Sequence, residues 1–450
     1  NINISQKNLE TDIFIFHHLT VLRPLSLTFT FLLPLLRASL GSQLNDSFDW
    51  ANFSTQHEQA KYISAQLRRW NNETTDLRDK PLRVIYFHAK DRQPLKNHID
   101  RWNGILSDIQ EFYRSEMSNL GYGEVTITLE KKKGKLKLHE VKGKEEDKSY
   151  SYKSGSKIRG EVFEALRAKG LDPDRETLLI VCGLSKTEDK KVTIYSPYYG
   201  MGANHIRGIC FTADMEWLSV DGLKPDPHKT TLLVKEHRGY EPFTLGRFNT
   251  VYIGGTIHEL GHGLSLPHNL ATREEARRGT ALMGAGNYTY RKEWRNQGKG
   301  SFLTHSSALR LIVHPLFNGE STKTTEVPSL KFRELKITHF EKQIQIVGKI
   351  ESEMPAIAMI AYNDRENKGQ RGYMVNNNYD ATSWTSVISP DKNFKINIAD
   401  LRSGNHQIRL VVVHANGAVT TKRMHYSMND ETLDFTKTNK EIMNIIGQKP

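Results

Sequence analysis

The chain is poor in cysteine, since its 450 residues contain only two, Cys182 and Cys210. So few cysteines exclude a disulfide scaffold and a zinc module built from several thiolates. Long apolar runs are also scarce, and a mean hydropathy of -0.56 excludes a polytopic membrane protein. A metal site in this chain must therefore be built from histidines and carboxylates.

Acidic residues are outnumbered by basic ones, with 51 Asp and Glu against 63 Lys and Arg. Part of this excess lies in the short lysine-rich runs at 131–137 and 142–148. Such runs are more typical of solvated hairpins and loops than of a polyanion site. The sequence therefore predicts no specific nucleic-acid partner.

One apolar stretch, at 24–36, follows Arg23 and precedes small residues that end at Ser42. A positive flank, a short apolar run and a small-residue exit are typical of a secretory signal, and Pro34 argues against a membrane-spanning helix. We therefore expect a leader at 1–42, no transmembrane anchor, and a secreted or periplasmic protein. A buried N-terminal helix is the alternative reading of this run.

Strand and helix patterns alternate from residue 81 onwards. A strand at 82–88, an amphipathic helix at 97–119 and a strand at 124–129 predict a βαβ unit. An apolar strand follows at 177–183, and the run at 191–196 has the features of an edge strand. These patterns predict an α/β domain with a mixed, mostly parallel twisted sheet.

After residue 327 the pattern contains only short strands, and Asn416-Gly417 has the chemistry of a two-residue hairpin turn. This part predicts an all-β sandwich, similar to immunoglobulin or fibronectin type III modules. The predicted organisation is a leader at 1–42, an N-terminal extension or pro-segment at 43–80, a catalytic domain at 81–326, a β-sandwich at 327–428 and a tail at 429–450.

The candidate site lies in the pattern His258-Glu259-x-x-His262, with His268 six residues further on. On a helix, His258 and His262 are separated by roughly 40° and one turn, so both imidazoles can bind one ion. Glu259 lies beside them, where it can reach a water at the metal. Three neutral nitrogens and a water form an open tetrahedral zinc site, so one Zn²⁺ per chain is predicted.

These residues resemble the metzincin clan of zinc metallopeptidases, whose pattern is H-E-x-x-H-x-x-G-x-x-H followed by a methionine turn. The resemblance implies a zincin-like domain with an active-site helix, in which His258, His262 and His268 bind zinc and Glu259 is the general base. The family's glycine falls at Ser265 here, so Ser265 must adopt a positive φ or the helix must end differently. The methionine turn would contain Met283.

The family also implies candidates for substrate contacts. Several metzincins have a tyrosine two residues after the turn methionine, where this chain has Ala285, so Tyr288 or Tyr290 is the possible oxyanion donor. An extended peptide or protein substrate would pair with the predicted edge strand, at Val192, Ile194 and Ser196.

The first hypothesis for function is a zinc-dependent endopeptidase, in which metal-activated water attacks the peptide bond and Glu259 transfers the proton. A second hypothesis is a gluzincin-type peptidase with Glu274 or Glu275 as the third ligand. A third is an inactive adhesion or glycan-binding protein, whose β-module binds a partner or glycan through Trp384 and Tyr379.

Overall fold

The computed structural model describes residues 48–201, 203–236, 239–340, 343–366 and 381–448. The predicted leader at 1–42 and Tyr379 lie outside the described residues. Within the described ranges, no helix has both the length and the apolar character needed to cross a bilayer.

Seven α-helices occur among the described residues, and short 3₁₀ turns lie in several of the connections. The helices are α1 (Gln56–Asn72), α2 (His98–Asn119), α3 (Gly155–Ala168), α4 (Leu245–Gly263), α5 (His305–Ile312), α6 (Pro315–Asn318) and α7 (Thr436–Ile445). Helix α1 begins at a capping box, in which Thr55 and Glu58 each accept the backbone N–H of the other. Helix α4 begins after Thr244, whose hydroxyl accepts the N–H of Arg247.

The described strands fall into an α/β part and a β-rich C-terminal part. In the α/β part they are β1 (Pro81–His88), β2 (Thr128–Leu129), β3 (Lys131–Lys132), β4 (Lys135–Leu136), β5 (Leu138–Lys142), β6 (Thr177–Cys182), β7 (Ser185–Glu188), β8 (Lys191–Ile194), β9 (Tyr199–Met201), β10 (Gly208–Ala213), β11 (Thr231–Lys235), β12 (Glu241–Thr244), β13 (Thr280–Ala281) and β14 (Ser301–Phe302). In the C-terminal part they are β15 (Leu330–Phe340), β16 (Gln343–Ser352), β17 (Ala356–Arg365), β18 (Thr382–Val387), β19 (Asn393–Ile398), β20 (Gly404–His414), β21 (Val419–Asn429) and β22 (Thr432–Asp434).

The larger sheet of the α/β part has the order β2-β1-β6-β10-β9, and β5 also pairs with β1. Its strands are parallel except for β9, which is antiparallel to β10, so the sheet is mixed and mostly parallel as predicted. Leu179 and Val181 of β6 join the apolar cluster that contains α2, whereas Leu178 and Ile180 join the cluster that contains α3. Burial on both faces explains why β6 is a continuous apolar run.

Strand β8 forms where a strand was predicted, but it belongs to a second sheet with the order β12-β11-β8-β7. It is antiparallel to β7 and parallel to β11, so it has a neighbour on each side. Val192 therefore lies inside this sheet and not at its edge, and the predicted contact of Val192, Ile194 and Ser196 with a substrate stays a prediction. Its pairing with β11, far along the chain, leaves no local signal in the sequence.

The β-rich part consists of two antiparallel sheets, β15-β16-β19 and β18-β17-β20-β21-β22, which share an apolar cluster. The loop of the hairpin between β20 and β21 has three residues, 415–417. The His414 N–H donates to the Ala418 carbonyl across this loop, and Gly417 adopts φ +89°. The predicted two-residue turn is therefore one residue too short. The similarity to immunoglobulin or fibronectin modules stays a prediction.

The five-stranded sheet is apolar on both faces. Met359 and Leu410 join the cluster between the two C-terminal sheets, whereas Ile360 and Val411 join the cluster that also contains Leu260 of α4. The apolar core is thus continuous between the α/β part and the β-rich part. The division at 326/327 marks a change of architecture, and its status as a domain boundary stays a prediction.

Candidate metal centre

Helix α4 carries His258 and His262 and approaches the segment that contains Met283. Gly261 permits this approach, because a Cβ there would lie 2.4 Å from the sulfur of Met283. The helix ends at Gly263, and Ser265 then adopts φ +69°, which redirects the chain towards His268. Ser265 thus takes the left-handed conformation that the family pattern assigns to glycine, at a cost of order 1 kcal/mol.

The three histidines converge on one point. The Nε2 atom of His268 lies 3.3 Å from Nε2 of His258 and 3.0 Å from Nε2 of His262, and one ligand atom from each ring fits within a 4.8 Å cluster. Zn–N bonds of about 2.05 Å at tetrahedral angles would place such nitrogens about 3.3 Å apart. The donor set and its spacing therefore fit a zinc ion.

Backbone carbonyls orient two of the imidazoles. The Nδ1 atom of His258 lies 2.7 Å from the Leu282 carbonyl, and Nδ1 of His262 lies 2.9 Å from the Leu266 carbonyl. A proton on each Nδ1 leaves the lone pair of Nε2 directed at the shared point. Burial lowers the pKa of His258 to about 4 and also lowers the pKa of His262, which favours the neutral imidazoles that a metal requires.

Glu259 is held by the edge strand of the larger sheet. Its Oε2 accepts the N–H of Gly200 in β9 at 2.7 Å. Burial raises the pKa of the Glu259 carboxyl to about 7, although the Gly200 N–H acts in the opposite direction. Gly200 is required at this crossing, because a Cβ there would lie 2.3 Å from the Glu259 carbonyl oxygen and 2.5 Å from Cβ of His262.

Met283, Tyr288 and Tyr290, which were predicted to lie near the metal, have three different surroundings. Met283 is buried beneath α4, where its sulfur faces Gly261. Tyr288 is 64% exposed and lines a cavity of about 160 Å³ beside Glu259. Tyr290 is fully buried and donates its hydroxyl to Asp108 at 2.6 Å, so its predicted role as oxyanion donor is wrong.

Two of the three predicted edge-strand residues line the same small cavity. Ile194 and Ser196 contribute to its wall, and Val192 is fully buried in the core. Strand β9 is instead the element that ends the larger sheet, and within the described residues it pairs with β10 alone.

The glutamates of the gluzincin alternative lie away from the triad. Glu275 is buried and accepts the N–H groups of Thr272 and His305 at 3.1 Å each, so its carboxylate caps local backbone. Glu274 is exposed and precedes a 3₁₀ turn. This arrangement favours His268 over either glutamate as the third ligand.

A cleft of about 870 Å³ opens over Glu259, His262 and His268. Residues 418–420 of the β-rich part line one side of this cleft. In the adjoining turn, Asn416 Nδ2 donates hydrogen bonds to the carbonyls of Lys323 and Glu326. Trp384, half-buried on β18, lines a separate cavity of about 480 Å³. The C-terminal part thus helps to form the cleft at the triad, which sequence patterns alone did not indicate.

No family model and no curated protein matches this chain. Among solved structures, wild-type OgpA from Akkermansia muciniphila is 26% identical, with a TM-score of 0.64 over 80% of this chain and 98% of that chain. Catalytically inactive OgpA, in complex with an O-glycopeptide substrate named glycodrosocin, is 25% identical, with a TM-score of 0.63 over 80% and 97%. The chain is therefore similar to OgpA over nearly the whole of that protein.

Proposed function

We propose that this chain is an exported zinc endopeptidase of the metzincin type that hydrolyses peptide bonds in O-glycosylated peptides. The observation that carries the proposal is the convergence of His258, His262 and His268 beside Glu259, at the floor of an open cleft. The similarity to OgpA, which has been crystallised with an O-glycopeptide substrate, supports both the reaction and the class of substrate.

Bound zinc would supply Lewis-acid chemistry at the triad. Glu259 acts as the proton carrier: the Gly200 N–H holds its Oε2, and its Oε1 takes a proton from the attacking water. The same carboxyl then delivers this proton to the nitrogen of the leaving amine. Burial raises the pKa of this carboxyl above its usual value, which strengthens it as a proton acceptor.

Strand β9 is the element best placed to align a substrate backbone. It passes over α4 at Gly200 and, among the described strands, has β10 as its single neighbour. The open side of an edge strand can pair with an extended peptide through main-chain hydrogen bonds. We therefore assign this role to Tyr199–Met201 in place of the interior strand β8.

Glycopeptide hydrolysis tests this proposal. Purified protein supplied with zinc should cleave glycodrosocin into two peptide fragments, and the unglycosylated peptide of the same sequence should be cleaved more slowly. Mass spectrometry of the products identifies the cleaved bond. Equal rates on the two peptides would contradict the substrate class, and binding without any cleavage would favour the glycan-binding alternative.

A further inference from the structure

Arg310 lies at the wall of the cleft, near the end of α5. Its half-buried side chain lines the same cavity as Glu259, His262 and His268. One terminal nitrogen, Nη2, donates to the hydroxyl of Ser265 at 2.7 Å. The guanidinium is therefore tied to the segment that brings His268 to the triad.

The part of the chain that the structure describes supplies no counter-charge to Arg310. Among the described residues, no carboxylate forms an ion pair with it, and the Ser265 hydroxyl is its one hydrogen-bond acceptor. A guanidinium has five N–H donors in a planar fork, so Nε and Nη1 keep their hydrogen-bonding capacity. The carboxylates that line the cleft belong to Glu259, which is held by Gly200, and to the exposed Glu326.

The positive charge of Arg310 acts on the groups around it. The pKa of His314 is lowered to about 3, chiefly by burial and in part by the charges of Lys80, His205 and Arg310. The pKa of Arg409 is also lowered, chiefly by burial, with a smaller contribution from Arg310, whereas Tyr362 and Asp364 act in the opposite direction. An anionic group that enters the cleft would be attracted by the positive charge of Arg310.

We propose that Arg310 binds a carboxylate of the substrate and thereby gives the enzyme a preference for acidic glycopeptides. The inference rests on the proposed function, because it assigns specificity to the same cleft. A carboxylate matches the planar fork of a guanidinium and forms charge-assisted hydrogen bonds with it. Two sources offer this group near a scissile bond, an Asp or Glu side chain and the sugar acid of a sialylated glycan.

Two matched pairs of glycopeptides test the proposal and separate the sources. One pair carries Glu or Gln beside the glycosylated residue, and the other carries a sialylated or a desialylated glycan on one neutral peptide. For at least one pair, kcat/KM of the wild-type enzyme should be roughly tenfold or more higher for the acidic member. Arg310→Gln should bring this ratio close to one while zinc content stays at one per chain. The pair that shows the ratio identifies the source.

A positioning role for Arg310, in which it only secures Ser265, makes a different prediction. Ser265→Ala removes that hydrogen bond and keeps the charge, so the acidic preference should persist. If Arg310→Gln lowers kcat/KM for acidic and neutral members by the same factor, or if Ser265→Ala abolishes the preference as well, the carboxylate site is contradicted.

Binding measurements separate this inference from the proposed hydrolysis. In the zinc-loaded Glu259→Gln protein, fluorescence anisotropy should show tighter binding of the acidic member, and adding Arg310→Gln should remove the difference. That result supports the carboxylate site even if the wild-type protein cleaves no peptide, in which case the proposed function alone fails. Equal affinities for both members of both pairs would overturn the inference.

Discussion

Replacement of Glu259 by glutamine should lower kcat for glycopeptide hydrolysis by a factor of ~10² or more while zinc content stays at one per chain. Glutamine keeps the size of the side chain, and its carbonyl oxygen can still accept the Gly200 N–H that holds Oε2 at 2.7 Å. The substitution removes only the group that is proposed to take and return the proton. Initial rates from product mass spectrometry, together with elemental analysis of zinc, measure the two quantities on one preparation.

Glu274→Gln is the matched control for this variant. Glu274 is exposed and lies outside the cleft over the triad, so the same change of chemistry there should leave both rate and zinc content unchanged. A Glu259→Gln protein that retains more than half of the wild-type rate would contradict the assignment of Glu259 as general base.

Replacement of His268 by alanine should weaken zinc binding by on the order of 10²-fold or more, and hydrolysis should fall with it at limiting zinc. Loss of a group that only orients a ligand already costs 10 to 100-fold in metal affinity, and this change deletes a ligand itself. The Nε2 atom of His268 lies within 3.3 Å of both other Nε2 atoms, and no described carboxylate belongs to this cluster. Competition with a zinc-binding dye measures the affinity.

Two controls accompany the His268 variant. His228→Ala removes an exposed histidine outside the cluster and should leave zinc affinity unchanged. Glu275→Gln changes the buried carboxylate that caps Thr272 and His305, so it should lower thermal stability more than zinc affinity. Full zinc binding by the His268 variant, with loss of zinc in the Glu275 variant, would replace the metzincin arrangement with the gluzincin one.

The convergence of the three histidines could be predicted from the sequence because its geometry is nearly local. His258 and His262 are one helical turn apart, and the turn at Ser265 needs only a few residues to bring His268 to them. Strand β6 and helix α2 were also predictable, β6 from its continuous apolar run and α2 from its helical periodicity.

The elements that surround the cluster depend on non-local pairing, which sequence patterns do not record. Strand β9 has three residues, too few for a periodic signal, yet it is the sheet edge that holds Glu259. Arg310 reaches the site from a helix some 45 residues beyond Ser265, and its sequence context is that of any amphipathic helix. Strand β18 carries no clear strand pattern, because its polar and apolar residues do not alternate regularly.

A zinc titration tests the central claim, which is that this chain is a peptidase whose activity depends on zinc bound by the three histidines. Protein freed of metal by chelation receives zinc in steps, and zinc content and glycopeptide cleavage rate are measured on the same samples. The rate should start near zero, rise in proportion to bound zinc and level off at one zinc per chain. A rate that is independent of zinc, or a fully loaded protein that cleaves no glycopeptide, would contradict the claim.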